Sequence, residues 1–355
     1  MKITQPTLII DREKCLSNIK KMVNKSRKYK VKLRPHFKTH QSAVIGNWFK
    51  NHSIASITVS SVSMAKYFAD NGWNNITIAF PLNIREIEEI NKLAVKINLN
   101  VIFESTETVN FLKTHLLHRT GGYIKIDTGS HRTGIIAENI KQVDKVLNQV
   151  KNCPKITFKG FITHAGHSYQ AKTKEEIALI HRDSLKKLNR LKDRYINVWK
   201  NIELSIGDTP CCSLMEDFSG IDEIRPGNFI FYDIMQYHIG ACSLDEIAVA
   251  LACPVVAKHK ERNEIIIYGG VVHLSKEYIY NKDNIKIFGY VVEINKGKWN
   301  TPIEGAYISS ISQEHGIMKI PDKYFEKIRL GDIIGILPVH SCLTNNLMKS
   351  RVLIM

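Results

Sequence analysis

The chain has 355 residues, of which 44% are hydrophobic and 24% charged, and its formal net charge is +16. This length suits one large barrel with a smaller domain, or a few ordinary domains, of globular composition. No apolar run approaches the roughly 18 residues of a membrane span, and the start, Met1 to Pro6, lacks a secretory apolar segment. No membrane partner and a cytoplasmic location are therefore expected.

Asp11 can cap a helix predicted near 12–28. β-rich runs then alternate with helical segments. The runs are 31–34, 57–60, 76–80, 100–103, 123–127, 158–163, 203–206 and 223–231. Most are rich in Val, Ile and Phe, as strands buried on both faces should be. The clearest helix spans about 174–197. There Thr173 and Glu176 form a capping box, and Ile177, Ile180, Leu188, Leu191 and Tyr195 supply an apolar stripe.

Eight strands separated by helices predict an α/β fold of the (β/α)8 TIM barrel type over residues 1–240. The first few residues join the second domain in a variant of this reading. An open doubly wound sheet is the alternative, although no Gly-x-Gly-x-x-Gly is present. Beyond Gly240 the runs 264–268, 285–294, 306–311 and 332–337 carry turn residues between them and little helical periodicity. They predict a smaller, mostly antiparallel β domain over 241–355.

In an α/β barrel the chemistry sits at the carboxyl ends of the strands. Lys38, flanked by His36 and His40, follows the first strand; Asp127, His131 and Arg132 follow the fifth; His164, His167 and Tyr169 follow the sixth. Gly207, Asp208 and Thr209 follow the seventh, and Tyr232 and Asp233 end the eighth. The unusual polar groups thus converge on one rim. A lysine there can hold an aldehyde cofactor if neighbours such as Arg34, His36 and His40 lower its pKa. Arg132 can steady a cofactor ring or a substrate carboxylate, or form a salt bridge with Asp127. Gly207 to Thr209 can open a short helix whose amides face a phosphate, with the Asp208 side chain turned away. In the second domain His340 and Cys342 stand two residues apart and supply half of a soft-metal site, or a buried thiol beside a polar histidine.

The seven cysteines are scattered, with Cys211 and Cys212 adjacent, so a disulfide framework is not expected and a reducing compartment fits better. The lysines are spread over helix faces without interleaved aromatics, so nucleic acid is not expected as a partner. The basic surface attracts small anions instead.

Taken together, these motifs resemble the fold-type III pyridoxal-phosphate enzymes, within them the D-serine dehydratase and D-threonine aldolase group. Arg34-Pro35-His36-x-Lys38-Thr39-His40 matches the cofactor-lysine motif, and Thr163-His164-Ala165-Gly166-His167-Ser168-Tyr169 resembles the sixth-strand motif. Ser205-Ile206-Gly207-Asp208-Thr209-Pro210 resembles the phosphate loop, with Asp208 where a small residue is more usual. The stretch from Arg225 to Asp233, which includes Tyr232, resembles the eighth-strand motif. Ser312 to Gly316 and His340-Ser341-Cys342 resemble β-domain motifs.

The resemblance covers nearly the whole chain. It implies an alanine racemase-like barrel with pyridoxal 5'-phosphate on Lys38, contacted by Arg132, His164, Tyr169, Gly207, Asp208, Thr209 and Tyr232. It implies a divalent metal, Zn2+ foremost, at His340 and Cys342, and a homodimer with shared active sites. The aldolase branch tends to carry aspartate in place of this cysteine, so the residue points to dehydratase chemistry. The expected activity is a lyase on β-hydroxy D-amino acids, D-serine giving pyruvate and ammonia. Retro-aldol cleavage of D-threonine type, racemisation, and a non-catalytic carrier of the cofactor are the alternatives.

Overall fold

A computed structural model describes residues 3–281 and 283–355, in two compact units. One unit is Lys21–Gly227; the other joins the residues up to Lys20 with Asn228–Met355.

The first unit is built on eight parallel strands: Lys32–Leu33, Ile57–Val59, Asn75–Pro81, Asn98–Phe103, Thr120–Asp127, Ile156–Ile162, Glu203–Ile206 and Glu223–Ile224. Each of the last seven pairs with its neighbour in sequence, and Glu223–Ile224 returns to pair with Lys32–Leu33. The amide of Phe37 donates to the Thr58 carbonyl at 2.8 Å and that of Thr58 to the Pro35 carbonyl at 3.0 Å, which closes the ring. The barrel expected from the alternating pattern is therefore the observed fold. Its strands are buried almost throughout, which is why they read as continuous apolar runs.

Two local expectations are corrected. The eighth run, 223–231, is a strand only over Glu223–Ile224; Pro226 has no N–H to donate to a ladder, and Asn228–Ile230 winds into a 3-10 turn. The long helix runs Lys174–Tyr195, and the Thr173 hydroxyl accepts from the Glu176 amide at 3.2 Å. The Glu176 carboxylate, however, accepts from the Lys172 amide at 2.7 Å, one residue before the cap. The reciprocal capping box is thereby displaced by one position.

Charged groups cross the barrel interior. Arg34, directly after the first strand, donates its Nε to Glu223 on the last at 2.6 Å, with side chains 3% and 2% exposed. Ser205 Oγ donates to the other Glu223 oxygen at 2.8 Å, and Arg225 Nε donates to Ser205 Oγ at 2.7 Å. Arg225 also donates to the Thr163 carbonyl, and Arg34 Nη1 donates to Asn75 Oδ1 at 2.8 Å. Removing one member of such a network leaves its partners buried and unpaired.

In the second unit Val249–His259, Glu264–Tyr268, His315–Lys319, Tyr307–Ile311, Gly289–Asn295 and Ile333–Pro338 form a closed antiparallel ring. Thr7–Ile10 adds antiparallel to residues 249–252 and parallel to Val352–Ile354. The mostly antiparallel domain is as expected, and the N-terminal strand lies within it. Asp11 ends that strand and caps the following helix, Arg12–Lys28, by accepting from the Lys14 amide at 3.1 Å.

Glu223→Ala should destabilise the protein by about 3–5 kcal/mol, because Arg34 would remain buried without its carboxylate. Urea unfolding should register this as a lower midpoint at unchanged slope.

Candidate active site

The carboxyl ends of the barrel strands surround a cavity of about 300 Å³. Lys38, Lys125, Arg132 and Arg225 line it with His36 and His164, against a wall that includes Phe80 and Ile102. No carboxylate contributes to this lining. Lys38, Arg132 and His164, taken from separate segments of the sequence, thus share one cavity.

Burial and the nearby Lys38 ammonium hold the His36 and His164 imidazoles well below their usual range, so both are neutral at pH 7. The His36 ring also accepts from the Lys38 amide at 3.3 Å. Lys125 is 7% exposed and has no ion-pair partner among the described residues. Burial, with Arg225 and Arg132, pulls it down to about 7. Burial likewise brings Arg225 to about 10 against the pull of Glu223.

Arg34 and His40 do not share this cavity with Lys38. Arg34 is bound to Glu223, and His40 packs among Phe37, Phe49 and Phe68, where burial pulls it down to about 3. Asp127 does not pair with Arg132. It accepts from the amides of Gly129, Ser130 and His131 at 2.9–3.1 Å and pairs with the His131 ring at 3.2 Å.

The loop after the seventh strand leads into a short helix, Thr209–Leu214. Asp208 turns its carboxylate back to accept from the Cys211 amide at 2.7 Å and from Ser168 Oγ at 3.1 Å. The Thr209 amide donates to the Tyr169 hydroxyl at 3.1 Å, and the Tyr169 and His164 rings lie 6.1 Å apart. Thr209 Oγ1 is buried and has no hydrogen-bond partner. A Cβ at Gly207 would come within 3.2 Å of the Arg225 guanidinium, so a side chain here would press on Arg225. An unsatisfied hydroxyl, a stripped backbone and a cation-lined cavity fit a phosphorylated ligand held near Lys38.

The remaining expected residues lie in the other unit. Tyr232 is 7% exposed, and its amide donates to the Asn228 carbonyl at 2.7 Å. His340 precedes the helix Ser341–Met348, which carries Cys342. Asp233 accepts from the Ser341 amide at 2.9 Å and from Asn228 Nδ2 at 2.6 Å, and Asn228 Nδ2 reaches Cys342 Sγ at 3.6 Å. Burial lowers the His340 pKa, but its hydrogen bond to Cys342 and the charges of Cys342, Asp233 and Glu277 outweigh that and push it up to about 9. No cluster of three or more His, Cys, Asp or Glu ligands occurs among the described residues. Two soft donors, with the Asn228 Oδ1 atom buried and unsatisfied beside them, nonetheless fit a metal that keeps open positions.

The sequence reading did not single out Lys125, Arg225 or Asn228 as site residues. Lys125 interrupts an otherwise apolar run, Tyr123-Ile124-Lys125-Ile126, and a lone lysine inside a doubly buried strand is the signal that could have found it.

Residues 10–234 match the family model "Alanine racemase, N-terminal domain", and residues 248–354 match "Putative serine dehydratase domain". The chain is 29% identical to a D-serine dehydratase of Dictyostelium discoideum, over 92% of this chain and 87% of that protein. It is 24% identical to a D-threo-3-hydroxyaspartate dehydratase of Delftia sp. (strain HT23), over 96% of this chain and 91% of that one. A solved structure of the Delftia protein shares the fold, with a TM-score of 0.90 at 22% identity, covering 98% of this chain and 93% of that chain. Another structure of it, a cysteine-to-alanine mutant in the metal-free form, matches with a TM-score of 0.89 at 22% identity over 98% and 93%.

Thr209→Val keeps the volume and removes the unsatisfied hydroxyl. It should weaken retention of a phosphorylated cofactor about ten- to a hundredfold, as loss of a hydrogen bond to a charged group does, with the melting temperature of the apoprotein unchanged. Zinc affinity, followed with a competing dye, should rise about tenfold per pH unit from pH 7 and level off near pH 9, because the His340 proton must leave before a metal binds.

Proposed function

The chain belongs to the alanine racemase-like family of fold-type III pyridoxal-phosphate enzymes, and we propose that it is a lyase removing water from β-hydroxy D-amino acids. D-serine is the leading substrate, with pyruvate and ammonia as products. The observation that carries this reading is Lys38 in a cavity lined by three further cations, two neutral imidazoles and no carboxylate. That lining suits an amine that binds an anionic aldehyde and then an anionic amino acid. The relatives named dehydratases support the reaction class.

Pyridoxal phosphate, when bound, supplies an aldehyde carbon that captures amines and a ring that takes up charge from the substrate α-carbon. Lys38 Nζ would hold it, with Gly207 and the Thr209 hydroxyl at its phosphate. Asp208 stays clear of the phosphate because its carboxylate is bound to Cys211 and Ser168. Tyr169 orders the loop through the Thr209 amide. Arg132, exposed at the rim, would meet the substrate carboxylate. Once substrate takes its place, Lys38 Nζ is free to accept the α-proton.

His340 and Cys342 would hold the divalent metal, and the thiolate favours zinc over harder ions. Such a metal supplies Lewis acidity toward the β-hydroxyl, a poor leaving group by itself. Asp233 and Asn228 orient that pair. The resemblance assigns Tyr232 to the cofactor, and a homodimer is part of the proposal. No helix of the described residues is long and apolar enough to cross a membrane.

Purified protein should convert D-serine to pyruvate and ammonia. Glycine and an aldehyde from D-threonine as the sole products would overturn dehydration in favour of retro-aldol cleavage. Chelation should abolish turnover while leaving the visible cofactor band intact, zinc should restore activity, and Lys38→Ala should remove the band. Full activity without metal would refute the role given to His340 and Cys342.

A further inference from the structure

The opposite end of the barrel holds a second cavity, of about 410 Å³, which the proposed lyase chemistry does not use. It opens where the strands begin. Lys32, Arg119 and Lys159 line it with the Arg34 guanidinium, and Glu203 is the only carboxylate among the lining residues. That carboxylate accepts the Tyr123 hydroxyl. Arg34 is neutralised by Glu223, but neither Arg119 nor Lys159 has an ion-pair partner among the described residues. Burial and the adjacent Arg34 hold the Lys32 ammonium below its usual range, although Glu223 lies 3.6 Å away and pulls the other way.

We propose that this basin binds a small multivalent oxyanion, a phosphate or a polycarboxylate, and that its occupancy is felt at the Lys38 cavity. The route is a continuous set of hydrogen bonds. Arg34 lines the basin and donates to Glu223 at 2.6 Å; Ser205 joins Glu223 to Arg225 at 2.8 and 2.7 Å; Arg225 lines the Lys38 cavity. An anion that draws the Arg34 guanidinium outward loosens its hold on Glu223, and every member of the set is buried, so the adjustment passes to Arg225 rather than to water. The volume admits a molecule of metabolite size, and the excess of cations over carboxylates selects for more than one negative charge. Binding in the basin is independent of the proposed reaction, whereas the coupling rests on the cofactor being held at Lys38.

The test uses the cofactor-loaded protein at constant ionic strength, with zinc present. Inorganic phosphate and tricarballylate are titrated separately by calorimetry. Saturable binding of either supports the site, and the one that binds identifies the chemistry. Arg119→Glu combined with Lys159→Glu should weaken it at least tenfold without altering the cofactor band or turnover in the absence of anion; the single change Arg119→Gln should weaken it less. No saturable binding of either anion, or equal binding by the doubly changed protein, overturns the site. At saturating anion, cofactor loss on dilution should change at least threefold. Ser205→Ala should remove that change while preserving anion binding. Cofactor retention indifferent to the anion in the unaltered protein overturns the coupling.

Discussion

Arg34 directly follows the first strand of an eight-membered ring and Glu223 stands on the last, and their ion pair spans the seam where that ring must close. The two strands share only a short ladder, so few backbone bonds hold the seam. The side chains add what the backbone lacks. Because the pair is almost fully out of water, it is stable only with its remaining valences filled, and Ser205, Asn75 and Lys32 fill them. Ser205 then fixes Arg225, and Arg225 sits against Gly207, where the phosphate loop begins. One closure constraint therefore sets the backbone position on which the cofactor assignment depends.

The same arrangement explains the electrostatics of the cavity. Glu223 answers Arg34 and, at a distance, Arg225. At the rim Lys125 is crowded by Arg225 and Arg132, and Asp127 and Glu104 offset them only in part. Burial first, and these cations second, keep the two neighbouring imidazoles neutral and bring the amine of Lys125 within reach of neutrality. A cavity lined in this way attracts anions, which suits a phosphorylated cofactor and a substrate carboxylate.

Much of this was legible in the sequence, for physical reasons. Strands buried on both faces leave unbroken apolar runs, so all eight were located, and the rule that parallel barrels act at their carboxyl ends placed Lys38, Arg132 and His164 on one rim. What escaped depends on side-chain direction. Arg34 and Lys38 are four residues apart, yet Arg34 lines the cavity at one end of the barrel and Lys38 the cavity at the other. His40 sits in a motif rich in polar residues but faces an aromatic cluster. The end of the eighth strand was overestimated because Phe229 to Phe231 are apolar, and the missing donor of Pro226 decides the matter instead. The partners of the His340 and Cys342 pair come from a segment more than a hundred positions away, beyond the reach of local spacing.

The N-terminal strand carries a consequence for biosynthesis. Thr7–Ile10 lies between residues 249–252 and Val352–Ile354, so this segment is made long before either of its two neighbours. The intervening barrel strands pair mostly with neighbours in sequence and can assemble meanwhile. Until residues 249–252 and Val352–Ile354 have been made, the apolar Leu8, Ile9 and Ile10 have no ladder to join. They are then a short unpaired edge of the kind that chaperones recognise, and the nascent chain is most exposed to aggregation while that edge waits.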